Sequence, residues 1–116
     1  MSTNNGLSKR PEILPSELVR QGWCRKHLAE DRHGEPCRPD AAIAFGFCME
    51  GAVHAAGLGG WQCDGPTLDF WNLLFSILLH KTGSTLPWRF NDTPGRTQGE
   101  VIAVLEQAEE GMGWHQ

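Results

Sequence analysis

Tyrosine is absent, basic residues are outnumbered by acidic ones, and no apolar run is long. Each shortage excludes something. With no tyrosine, five tryptophans and five phenylalanines supply all the aromatic surface, for burial or for a partner. Ten Lys/Arg against fourteen Asp/Glu give a net charge of −4, which argues against general nucleic-acid binding, because that relies on cations neutralising phosphates. The longest apolar stretch, FWNLLFSILL at 70–79, is broken by Asn72 and Ser76 and falls far short of the roughly 20 residues that span a bilayer. The opening MSTNNGLSKRPEILPSE has neither the apolar core nor the cleavage site of a secretory signal. The chain therefore reads as cytoplasmic, with no membrane association and no general nucleic-acid binding. Strand-like alternation never lasts more than a few residues, and there is no internal repeat and no low-complexity run.

What is present fits one domain with a real core, since 40% of the 116 residues are hydrophobic and 21% charged. Charge is uneven: residues 1–40 hold seven Lys/Arg and six Asp/Glu, residues 41–116 three and eight. Residues 1–14 read as a flexible arm and 15–112 as a single helical domain. Ser16 is a candidate N-cap for a first helix running to about Glu30. After a loop at 31–40, Asp40 is placed to cap a second helix ending at Gly57. That helix carries a small-residue face of Ala44, Cys48, Gly51, Ala52 and Ala55. Past a glycine-rich connection at 57–65, Gly65-Pro66-Thr67 opens a third helix to about Lys81, with Gly83 as its stop. Its 68–79 portion is so broadly apolar that it is either the central core helix or the interface of a homo-oligomer. A loop spans 82–96. Thr97 with Glu100 then forms a capping box for a fourth helix at about 98–110, and the tail GMGWHQ frays. The expectation is an all-α fold, a small bundle of about four helices with long connecting loops.

Four groups of residues invite a chemical reading. Cys24, His27, His33 and Cys37 are zinc-ligand types, with Cys24 and His27 at a usable helical spacing. Against this, the arrangement matches no zinc framework, and cytosolic cysteines are by default small buried hydrophobes. Glu50 and His54, four apart, are either an oriented base or an ordinary helical pair. Asp69, Asn72, Ser76 and His80 form one polar line on the third helix. Asp69 and His80 would lie about 16 Å apart by helical rise, so no triad follows, leaving a wet stripe or a pocket lining. The densest stretch is RFNDTPGRTQGEV at 89–101. Trp88 and Phe90 read as core anchors, Asn91 and Asp92 as an Asx-turn, and Thr93-Pro94-Gly95 as a type II turn. Arg96 lies within reach of Asp92 or of nearby carbonyls, and Thr97 caps the next helix. The same Asn91, Asp92, Arg96 and Thr97 would serve as an anion site, with helix amides beside the guanidinium.

Two segments together, DAAIAFGFCMEGAVHAA and PWRFNDTPGRTQGEVIAVLEQA, resemble a family of short uncharacterised bacterial and phage proteins. That family carries a Trp-Cys-x-x-Gly-Ala helix and a downstream Trp-Asn-Asp-x-x-Gly-Arg-Thr-x-x-Glu-Val motif. The matching positions are Cys48, Gly51 and Ala52, then Asn91, Asp92, Gly95, Arg96, Thr97, Glu100 and Val101. Phe47 and Phe90 stand where the family has tryptophan, keeping an aromatic anchor without its indole N–H. The resemblance implies a fold module and a bacterial or phage setting, but no activity. The first functional expectation is accordingly a non-enzymatic module that binds a protein partner, such as a phage- or mobile-element-encoded inhibitor of a host defence system, for example an anti-CRISPR protein. The alternative is a small-ligand or anion-binding module, or a minor hydrolase, built on the Asn-Asp-x-Pro-Gly-Arg-Thr loop. No cofactor is expected under either.

Overall fold

The computed structural model describes residues 10–59 and 65–115. Most of the expected N-terminal arm, the middle of the glycine-rich connection and Cys63 lie outside the described residues. The described residues form, in order, α1 (Pro15–Gln21), β1 (Ala29–Glu30), β2 (Pro36–Cys37), β3 (Gly46–Phe47), α2 (Met49–Val53), a π-helical turn (His54–Leu58), α3 (Gly65–Thr82), α4 (Pro87–Asp92) and α5 (Gln98–Gly111). The three strands make one antiparallel sheet in the order β2-β1-β3. Ala29 lies opposite both Cys37 and Phe47, and Glu30 opposite both Pro36 and Gly46.

The all-α expectation is thus overturned: the fold is mixed, helices with a small sheet. Strands of two residues contain no alternation for a sequence pattern to reveal. The first helix does not reach Glu30, because α1 stops at Gln21 where Gly22 turns extended. A Cβ on Gly22 would sit 2.8 Å from the Phe45 carbonyl oxygen, so this backbone approach requires glycine. Beyond it, the Phe47 amide donates to Gly22 O and the Cys24 amide to Phe47 O, laying residues 22–24 beside β3. The second helix does not begin at Asp40. Its N-cap is Cys48, whose sulfur accepts from the Gly51 amide at 3.3 Å. Gly51 is packed against the carbonyl of Leu28, where a Cβ would fall 1.8 Å from the oxygen.

Ser16 is not the cap of α1. Leu14 is, with its amide donating to Glu17 Oε1 at 2.7 Å, while Ser16 is buried. The loop expected at 82–96 contains α4, opened by Pro87. The Thr93–Arg96 turn has the expected form, with the Arg96 amide on Thr93 O and Gly95 at φ +84. Helix α5 starts as the sequence indicates: Thr97 Oγ1 accepts from the Glu100 amide, and Glu100 Oε1 accepts from the Thr97 amide at 2.9 Å. The Thr97 amide bond, more than the nearby Arg96, holds the Glu100 carboxyl below its ordinary range.

The core gathers Leu14 and Val19 of the N-terminal part, Met49 and Val53 of α2, Phe70, Leu74 and Leu78 of α3, and Val101 and Leu105 of α5. Helix α3 buries one stripe, Thr67, Phe70, Leu74 and Leu78, and leaves Leu68 and Leu79 each 53% exposed. It packs chiefly on α5 and so lines the core from one side. The tail does not fray at Trp114, which is buried and stacked on Phe70 with ring centroids 5.3 Å apart. Glu109, fully buried, accepts from the Ser16 amide (2.8 Å), Ser16 Oγ (2.6 Å) and His115 Nε2 (2.7 Å), tying α1 to the end of α5. No helix among the described residues is long and apolar enough to cross a membrane.

Candidate functional site

The turn after α1, Trp23-Cys24-Arg25-Lys26, has no regular structure of its own. Its backbone groups and indole must find partners elsewhere. Apart from the Cys24 amide, which is paired with Phe47, the Trp23 indole, the Cys24 carbonyl and the Lys26 amide find theirs in the Asn-Asp-Thr-Pro-Gly-Arg stretch. Asn91 is fully buried at the end of α4. Its Oδ1 accepts from Trp23 Nε1 at 2.8 Å and from the Met49 amide at 3.0 Å. Its Nδ2 donates to Cys24 O at 3.0 Å and to Asp92 Oδ1 at 2.9 Å. Two donors and two lone pairs are the full capacity of a carboxamide, so this side chain is saturated. It joins the turn, the first residue of α2 and α4 in one polar knot.

The knot extends to both sides. Arg25 Nη2 donates to Thr93 O (2.9 Å) and Arg96 O (3.0 Å), with its guanidinium carbon 5.0 Å from the Trp23 ring centre. The Lys26 amide donates to Asp92 Oδ1 at 3.2 Å. Lys26 is the one non-glycine described residue with positive φ, at +70. The left-handed region costs a side-chain-bearing residue roughly 1–2 kcal/mol, and surroundings must hold it there. Here Asp92 and, behind it, Asn91 do so.

The strained turn forms one wall of a cleft of about 290 Å³, lined by Lys26, His27, Leu28, Cys48, Glu50, Trp88 and Asp92. Its apolar surface comes from Leu28 (42% exposed) and Trp88 (51% exposed), neither of which is part of the core. Cys48 belongs to the floor. Burial pushes its thiol up to about 11, and burial with the nearby Cys48 and Glu30 pushes Cys24 up to about 12. In both cases burial favours the neutral thiol over the thiolate. The two carboxylates keep free capacity. Asp92 uses Oδ1 for Lys26 and Asn91, and among the described residues Glu50 has only His54, at 3.8 Å, too long for a hydrogen bond.

The expected site residues thus separate. Asn91 is the buried hub and Asp92 the group it presents. Arg96 turns inward: its side chain is 18% exposed, its guanidinium lies 3.7 Å over the Phe90 ring, and Nε donates to Phe90 O at 2.8 Å. Its ion partner is Glu100 at 3.6 Å rather than Asp92, and Thr97 is the N-cap of α5. Glu50 lines the cleft, while His54 packs edge-on to Trp71. Asp69 and Asn72 face a separate open groove of about 460 Å³ with Leu73, Gly111 and Met112, and Ser76 and His80 are exposed. Cys24, His27, His33 and Cys37 are not brought together. Cys24 is buried, His27 lines the cleft, His33 borders another groove beside Arg32 and Phe45, and Cys37 is in β2. No group of three metal-binding side chains occurs among the described residues.

The turn and Trp88 escaped the sequence reading. Lys26 and Leu28 lay inside an expected helix, and Trp88 was assigned to the core. One signal existed for the helix itself: Pro87 suits a first helical position, although it does not say which face Trp88 takes. Every matched motif position now has a place. Cys48 caps α2, Gly51 admits the Leu28 carbonyl, Ala52 is buried, and the Asn-Asp pair supports the cleft.

These features define a small mixed α/β domain whose most specific polar network shapes a shallow cleft of mixed charge. The chain belongs to a family of unknown function, DUF6197, whose model matches residues 16–111. No curated protein and no solved structure matches it.

Proposed function

We propose that the protein is a non-catalytic module that binds another protein, and that the cleft beneath Trp88 is its working face. The observation that carries this reading is Lys26. A residue in the left-handed region, held there by a saturated buried network, marks a surface whose shape matters more than local stability. The cleft also has the make-up of a contact surface: an exposed tryptophan and leucine share its lining with charged side chains. Its cysteine is a neutral thiol, which does not serve nucleophilic chemistry. The anion-binding alternative is less favoured, because Arg96 is engaged internally. A phage- or mobile-element-encoded inhibitor of a host protein is the version of this class that the family resemblance favours.

The test compares three baits against extract from the native host: the unaltered protein, Trp88→Ala, and Leu79→Ser on α3 as control. All three are first matched for thermal unfolding. The reading expects a protein retained by the first and third baits and lost from the second. An identical captured set for all three would remove the cleft as the working face.

A further inference from the structure

We infer that the cleft receives an arginine side chain of the partner protein; the inference rests on the protein-binding reading above. Three independent features converge on that occupant. The first is size: about 290 Å³ lies at the lower edge of the roughly 300–1,000 Å³ of small-molecule sites, which suits one inserted side chain. The second is charge. Glu50 and Asp92 line the same cleft, and no lysine or arginine is paired with either among the described residues. The arginines that do pair with acids pair elsewhere: Arg20 with Glu106, Arg38 with Asp40, and Arg96 with Glu100. The third is shape: Trp88 and Leu28 offer exposed apolar faces to a flat cation and its aliphatic stem.

A guanidinium matches this combination better than an ammonium. Its planar fork donates to two carboxylates at once, it is weakly hydrated, and it stacks on indole. Lys26 stands on the rim with the same sign of charge as the occupant, and its long exposed side chain can swing into water. The excess of acidic residues over 41–116, eight against three, adds long-range attraction for a basic partner.

The probe is Nα-acetyl-arginine methylamide, titrated into the ¹⁵N-labelled full chain. The neutral citrulline analogue of the same shape serves as comparison. The reporter is the Trp88 indole N–H resonance, identified by its loss in Trp88→Phe. The arginine probe is expected to shift that resonance saturably and to bind about tenfold or more tightly than citrulline. Glu50→Gln, a change of a half-buried cleft carboxylate that makes no hydrogen bond to Asn91, is expected to weaken the arginine probe severalfold, and raised salt to weaken it further. Equal shifts from both probes, or no saturable shift from arginine, overturns the inference. The two readings fail separately. A host partner that needs Trp88, together with probes that behave alike, removes only the arginine occupant. A partner set indifferent to Trp88 removes the protein-binding face as well.

Discussion

Two fully buried polar side chains, Asn91 and Glu109, each tie distant parts of the chain together, but they do so with different chemistry and in different places. Asn91 is neutral and joins three segments through four hydrogen bonds beneath the cleft. Glu109 is a carboxylate that fastens the start of α1 and His115 to the end of α5 through three. The neutral hub imposes geometry on a surface: it fixes Asp92, and through it the strained Lys26. The carboxylate hub closes the helical layer. A carboxamide, which must both donate and accept, dictates orientation at every partner; a carboxylate only accepts. The contrast assigns shape to one hub and closure to the other.

That assignment can be broken most forcefully at Asn91. Asn91→Ala leaves the Met49 amide and Cys24 carbonyl buried without partners and frees the turn. A loss of about 3 kcal/mol or more is expected in chemical denaturation, together with loss of host-partner capture. Glu109→Gln sets an amide N–H against a donor at Ser16, and a loss of about 1–3 kcal/mol is expected. Below its melting temperature this variant should still capture the partner. If it does not, the two hubs are not functionally distinct. Lys26→Gly sharpens the comparison in the opposite direction. Relief of the left-handed strain should raise stability by about 0.5–1 kcal/mol, while the loosened turn weakens binding. A variant that is more stable and binds equally well would show that the strain has no role in the cleft.

The smallest effect concerns pH. The Glu100 carboxyl is held below its ordinary value of 4.5 by the Thr97 amide, so its contribution to stability is fully present above that value. It is lost as pH falls through the lowered folded value. Glu100→Gln should therefore unfold at lower temperature than the unaltered protein at pH 7, and the difference should narrow below pH 4.5. A constant difference across that range would mean that the capping carboxylate adds nothing as a charge.

What could be read in the sequence was what local chemistry decides. The Thr97–Glu100 box, the Pro94-Gly95 turn and the bounds of α3 each depend on residues within a few positions of one another. What could not be read depended on distant backbone. Gly51 looked like one member of a small helical face for close helix packing, when its reason is the carbonyl of Leu28. Gly22 falls inside the stretch expected to be the first helix, yet it ends that helix in close contact with the Phe45 carbonyl. For the site, Asn91 and Asp92 stand out in the sequence, yet their partners at Trp23, Cys24 and Lys26 fall in a stretch expected to be helix. A nearby carbonyl was within the expected reach of Arg96, but nothing local shows that Phe90 provides both that carbonyl and a ring beneath the guanidinium.

The bonds that hold the Trp23–Lys26 turn to residues 91–96 span between 66 and 71 positions along the chain. Closing loops of that length comes at a cost in chain entropy that only the assembled core repays, so the cleft forms with the whole domain and not ahead of it. Occupancy of the cleft is consequently linked to global folding: any ligand that binds there raises the melting temperature in proportion to the logarithm of its concentration above Kd. Thermal shift thus becomes a partner screen for this domain that requires no knowledge of what the partner does.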